Sequence, residues 1–114
     1  MHALSLLALL LPLVAAKPHG ACDCMSWTDE TGWIHNADLT HWVCTVYYKE
    51  HHYNSRFDAN SGQCVVDGDW KIDGQTWENQ CKEEGADGYH ALDENNATLD
   101  NRKVFKVGAA VGHC

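Results

Sequence analysis

The chain has 114 residues, enough for one domain and too few for two. Acidic residues number 16 against 8 Lys and Arg, and the formal net charge of −8 excludes a phosphate-gripping surface and docking on an anionic membrane. With 45% hydrophobic residues, five tryptophans and six cysteines, the chain is not a disordered acidic tail.

The first segment, Met1 to Ala16, reads MHALSLLALLLPLVAA. Its apolar run from Leu4 to Val14 is shorter than the about 20 residues that a membrane-spanning helix needs. Val14 and Ala16 are small side chains at the positions a signal peptidase reads. The expectation is therefore a signal peptide over 1–16 and a single cysteine-rich domain over 17–114, released outside the cell without a membrane anchor. In that oxidising compartment Cys22, Cys24, Cys44, Cys64, Cys81 and Cys114 read as three disulfides. A Cys22–Cys24 bridge is set aside because a one-residue gap closes too tight a ring; the other pairings stay open. Asn96-Ala97-Thr98 is an N-glycosylation sequon in a polar stretch, expected to be exposed.

Along the mature chain, Lys17 to Trp33 reads as a loop with a short strand around Cys24 to Thr28. Leu39, Trp42, Val43, Val46, Tyr47 and Tyr53 then recur at helical spacing, which predicts a helix from about Leu39 to His52. Asp38 or Thr40 is the expected cap. Turn signals at Asn60-Ser61-Gly62 and Asp67-Gly68-Asp69 flank Gln63 to Val66, and Trp70 to Ile72 follows, so these two runs are expected to pair as a hairpin. Gln75 to Glu84 forms a second helix burying Trp77 and Cys81, with Gly85 as its left-handed cap. Gly85 to Arg102 is a long loop, Lys103 to Val107 a strand, and Ala109 to Cys114 a continuation or partner of it. The order predicts an α+β fold, a small disulfide-stapled sandwich with two helices packed on one face of a short antiparallel sheet.

Cys22-x-Cys24, Thr40-x3-Cys44, Cys64 and the run Ile72-x-Gly74-x2-Trp77-x3-Cys81 together resemble the small secreted cysteine-rich proteins of filamentous fungi. Among these are candidate virulence effectors with a KP6 killer-toxin-like α/β sandwich. The resemblance covers Cys22 to Cys114. Many such proteins carry a Cys-Cys pair where this chain has Val43-Cys44 and Gln80-Cys81, so one of their bridges has no counterpart. What the resemblance implies is a secreted effector that acts on a host or a competitor; it transfers no catalytic residue.

Other constellations are weaker. His41 and Cys44, one helical turn apart, with His51 and His52 at the helix end, have zinc- or copper-ligand chemistry. Paired cysteines and a helix dipole favouring cations explain them without metal, so no metal or cofactor is expected. Asp67, Asp69 and Asp73 fail as a calcium loop, because Lys71 and Ile72 stand where an oxygen ligand and a glycine are required. Tyr48, Glu50, His51, Arg56 and His113 supply the groups of a small acidic ribonuclease of the T1 type, the enzymatic alternative. Trp42 and Trp77 are expected in the core. Trp27, Trp33 and Trp70 are the candidate surface contacts, suited to stacking on carbohydrate. The expected function is non-catalytic binding of a host or competitor protein or of cell-wall carbohydrate, with no nucleic-acid partner.

Overall fold

The computed structural model describes residues 18–48, 54–67 and 71–114. They form a small α+β fold with two helices, antiparallel strands and three disulfides. The expected signal segment, the end of the first helix, Trp70, Glu50, His51 and His52 all lie outside the described residues.

The organising strand is β2, Ala21–Thr28. It turns through Asp29–Thr31 into β3, Gly32–His35, with Met25 opposite His35 and Trp27 opposite Trp33. Thr31 N–H donates to Thr28 Oγ1 at 3.2 Å, Thr31 Oγ1 donates to the Gly32 carbonyl at 2.9 Å, and Gly32 takes φ +67°. This is a three-residue hairpin loop closed by a left-handed glycine. β2 also pairs antiparallel with β7, Ala109–His113, and through Ala21 and Cys22 with β5, Gln63–Val66. β5 forms a hairpin with β4, Ser55–Asp58. A separate two-stranded ribbon joins β1, Pro18–His19, to β6, Ile72–Asp73.

Successive strand residues face opposite ways. On β2, Cys22 and Cys24 share one face, while Asp23, Met25 and Trp27 share the other. Cys64 lies opposite Cys22 on the first of these faces. From that face run all three bridges: Cys22–Cys114, Cys24–Cys81 and Cys44–Cys64. Neither cysteine of the Cys22-x-Cys24 motif bonds the other, as the ring argument requires.

α1 spans Ala37–Trp42 and continues into a wider π-helical turn over Val43–Tyr48. Its cap is Asn36, not Asp38 or Thr40. Asn36 Oδ1 accepts Leu39 N–H at 2.9 Å, and Nδ2 donates to Ser26 Oγ at 3.0 Å and to Tyr89 Oη at 2.9 Å. Thr40 is instead fully buried, its hydroxyl accepting from Cys24 N–H and donating to the Asn36 carbonyl.

α2 runs Gly74–Asp87, capped by Asp73, whose carboxylate accepts from Thr76 N–H and Oγ1. Trp77, Cys81 and Gly85 form its buried stripe. Gly85 is therefore inside the helix, where a Cβ would lie 2.8 Å from Val107 Cγ2; the cap falls three residues later, on Gly88 at φ +115°. The core joins the cysteines to Leu39, Val43, Ile72, Trp77 and Tyr89.

Two strand expectations change. Gln63–Val66 pairs with β4, and Ile72 pairs with His19; Trp70, the start of the expected partner run, lies outside the described residues. Lys103–Val107 is not a strand: only Phe105 makes a single bridge, to Tyr89, while Ala109–His113 pairs with β2. β2 has edges enough to take the C-terminal segment, leaving 103–107 no partner strand.

Burial holds the Tyr89 phenol above its ordinary value. The unfolded chain therefore loses that proton first, and stability is intact below about pH 10 and falls as pH rises beyond it. Absorbance titration of the phenolates, run beside alkaline unfolding, should show Tyr89 ionising late; a Tyr89→Phe variant that keeps the late phase would contradict it. A second expectation concerns Gly112, where a Cβ would lie 2.7 Å from Glu78 Cα and 2.8 Å from Trp77 Cδ1. Backbone cannot swing aside, so Gly112→Ala should cost about 1–3 kcal/mol in urea unfolding. Gly32→Ala, with open space around it, carries only the φ penalty of roughly 1–2 kcal/mol.

Candidate functional site

The face of β2 opposite the cysteines carries the chemistry. In register across β3, β2 and β7 lie Trp33, Trp27 and Ala109, then His35, Met25 and Val111. One step further Asp23 stands opposite His113. Trp27 is 37% exposed and Trp33 48%, so the structure brings two of the three nominated tryptophans together as a cross-strand pair. Directly opposed strand residues hold their Cβ atoms about 5 Å apart.

Asp23 is buried, with only 8% of its side chain accessible. Its Oδ2 lies 2.5 Å from His35 Nδ1 and its Oδ1 2.8 Å from His113 Nδ1. A carboxylate only accepts, so each ring carries its hydrogen on Nδ1 and keeps Nε2 away from Asp23. The Asp23 backbone is held as well, its carbonyl accepting from Trp77 Nε1 at 2.8 Å. His35 rests on the β4–β5 turn: a Cβ on Gly62 would fall 2.6 Å from His35 Nε2, and Gly62 itself takes φ +72°. That turn is fixed by Asp58, whose oxygens accept from Ser61 Oγ and Asn60 N–H. Those two bonds hold the Asp58 carboxyl below its usual range.

A second cluster surrounds the sequon. Asn96 is exposed, at φ +64° in a turn where Asp93 Oδ1 accepts from Asn95 and Ala97 N–H. Its Oδ1 accepts from His41 Nε2 at 2.7 Å, and the His41 ring stacks on Phe57 at 4.3 Å and 8°. A cleft of about 310 Å³ lies beside them, between Asp38, Phe57, Glu94 and Asn96. An N-glycan attaches through Nδ2, leaving Oδ1 free to accept, so the His41 contact and glycosylation are compatible.

Cys44 is bonded to Cys64 and His41 to Asn96, so the two residues do not form a metal pair. Among the described residues no group of three or more His, Cys, Asp or Glu is arranged to hold a metal ion. Arg56 and His113 are not brought together. Arg56 lies on β4 beside Asp67, whereas His113 lies on β7, and β5 and β2 intervene.

Sequence reasoning passed over the Asp23–His35–His113 cluster. The missing information was the disulfide pairing: once Cys22 is bridged to Cys114, their neighbours Asp23 and His113 stand opposite each other. Comparison with known proteins found no family model, no curated protein and no solved structure that matches the chain.

Asp23→Asn keeps the shape but supplies one accepting oxygen and an N–H2 group, so one imidazole faces a donor. The expected loss is about 1–3 kcal/mol in denaturant unfolding. By NMR the ring resonances of His35 and His113 should both move while those of His41 and His90 stay in place. Movement of only one of the pair would show that the carboxylate does not hold both.

Proposed function

We propose that the protein is a secreted, glycosylated, disulfide-stapled effector or toxin-like protein that binds a host or competitor component without catalysis. The signal-like segment 1–16, the sequon at Asn96, the three bridges and the resemblance to KP6-type fungal proteins support this reading. In it, both helices pack against the cysteine-bearing face of the sheet. α2 docks through Cys24–Cys81 and the approach of Glu78 to Gly112, and α1 through Cys44–Cys64 and His41 on Phe57. The opposite face is then left for a partner.

The observation that carries the reading is the exposed cross-strand pair Trp27–Trp33. Single surface aromatics are ordinary, but two exposed tryptophans at directly opposed strand positions put large apolar groups on one sheet face, as interaction sites do. Flat rings with the His35 imidazole on the same face suit cell-wall carbohydrate. Sedimentation with insoluble chitin and β-glucan tests this: wild type should co-sediment, and Trp27→Ala/Trp33→Ala should bind at least about ten-fold more weakly, near 1.4 kcal/mol. Equal binding by both proteins would remove the Trp pair from the function.

A hydrolytic reading rests on Asp23, which orients two imidazoles as general acid–base groups are oriented. The expected result is that folded, oxidised protein leaves RNA intact. Cleavage that vanishes in His113→Ala would replace the binding reading with an enzymatic one.

A further inference from the structure

We propose that the β2–β3 hairpin binds a cationic amino-sugar polymer, a chain of glucosamine units with free ammonium groups, through Trp27, Trp33, Asp29 and Glu30. This rests on the reading of the Trp face as a binding surface and names the chemistry of its ligand.

The argument begins with charge. From Pro18 to Tyr48 the sequence contains Asp23, Asp29, Glu30 and Asp38 and no Lys or Arg. Asp29 and Glu30 form the hairpin tip immediately between the strand ends that carry Trp27 and Trp33. Both carboxylates are exposed, and neither takes part in an ion pair among the described residues. Asp23, by contrast, is buried and already committed to two imidazoles. The free negative charge of this hairpin therefore sits at its tip, next to the exposed indoles.

Aromatic faces beside carboxylates recognise cations, because the ring quadrupole and the anion attract the same ammonium. A neutral glucan would use the indoles and leave the carboxylates idle. An oligolysine would satisfy the charges but offers flexible methylenes, whereas the protein offers two exposed indoles on paired strand positions. A glucosamine chain uses both: its sugar faces lie on the rings and its ammonium groups meet Asp29 and Glu30. The chain-wide charge of −8 adds a favourable long-range field for such a polycation.

The tip is also rigid. The hydroxyls of Thr28 and Thr31 lie 2.8 Å apart and bond across the turn, Thr31 Oγ1 holds the Gly32 carbonyl, and Gly32 supplies the left-handed backbone that closes it. A turn held this way loses little conformational freedom on binding, which favours affinity. Ile34, 45% exposed on the reverse face of the same hairpin, provides an internal control.

Tryptophan fluorescence titration in mildly acidic buffer tests the assignment, using hexamers of glucosamine, N-acetylglucosamine and β-1,4-glucose, with hexalysine as the fourth probe. The glucosamine hexamer should bind at least about ten-fold more tightly than either neutral hexamer, and more weakly as salt rises from about 0.05 to 0.5 M. Asp29→Asn/Glu30→Gln should erase that preference, Trp27→Ala/Trp33→Ala should erase binding of all sugars, and Ile34→Ala should change nothing. Circular dichroism confirms that each variant is folded. Equal affinity for the free and acetylated hexamers, or hexalysine binding as tightly and independently of the tryptophans, overturns the proposal. If insoluble glycans still sediment wild type in a Trp-dependent way while the glucosamine preference is missing, the ligand class falls and the binding face stands. Failure of both removes the binding face as well.

Discussion

The structure depends on the two-residue alternation of one strand. β2 touches β3, β5 and β7, and its even and odd residues do unlike work. Cys22 and Cys24 point to one side and are covalently tied to the far end of the chain and to α2. Asp23, Met25 and Trp27 point to the other, where Asp23 is buried beneath two imidazoles and Trp27 is exposed. A one-residue slip would exchange the faces, burying Trp27 and exposing the cysteines. The disulfides therefore fix more than stability. The Cys22–Cys114 bridge fixes the β2–β7 register that sets Asp23 against His113, while the hairpin turn at Gly32 sets Trp27 against Trp33. Each bridge also adds a stabilisation of roughly 2–4 kcal/mol, useful in a domain whose aliphatic core is little more than Leu39, Val43 and Ile72.

Much of the frame is legible in the sequence, and the misses share a cause. The helices announce themselves because Leu39–Val43 and Trp77–Cys81 repeat at helical spacing, a signal that is local. The strands fail where pairing is decided elsewhere. β3 is four residues with Gly32 at its head and three exposed side chains after it, so no apolar alternation marks it. Lys103–Val107 has better strand composition than β4, yet it lies where β2 has no edge to offer. Caps mislead for a similar reason. Gly85 has the residue type of a left-handed terminus, but its lack of a side chain serves close approach to Val107 and Leu39. Asn36 is missed because its cap is chosen by a tertiary contact, the bond from its amide to Tyr89.

The site divides the same way. Trp27 and Trp33 are recognisable as large aromatics outside a helical stripe, but their adjacency needs the hairpin. Asp23 is hidden in plain view between two cysteines, and neither His35 nor His113 resembles its partner in sequence context. His41 illustrates the reverse case. Its spacing from Cys44 suggests a ligand pair, whereas in the fold the ring is spent on Phe57 and Asn96, so the spacing reflects helix geometry alone.

The bridge topology bears on how the molecule comes to exist at all. The bridges span separations of 20, 57 and 92 residues, and the two longest begin at the two cysteines nearest the start. As the chain is synthesised N-terminus first, Cys22 and Cys24 appear early and must wait, while Cys44 and Cys64 close the shortest loop. Cys114 follows the other five cysteines in the sequence, so the strand it anchors is the last to be pinned. Until then Cys22 and Cys24 are open to capture by Cys44, and only thiol–disulfide exchange can release them. The central strand is thus made early and secured last, and its correct pairing depends on disulfides that can still exchange.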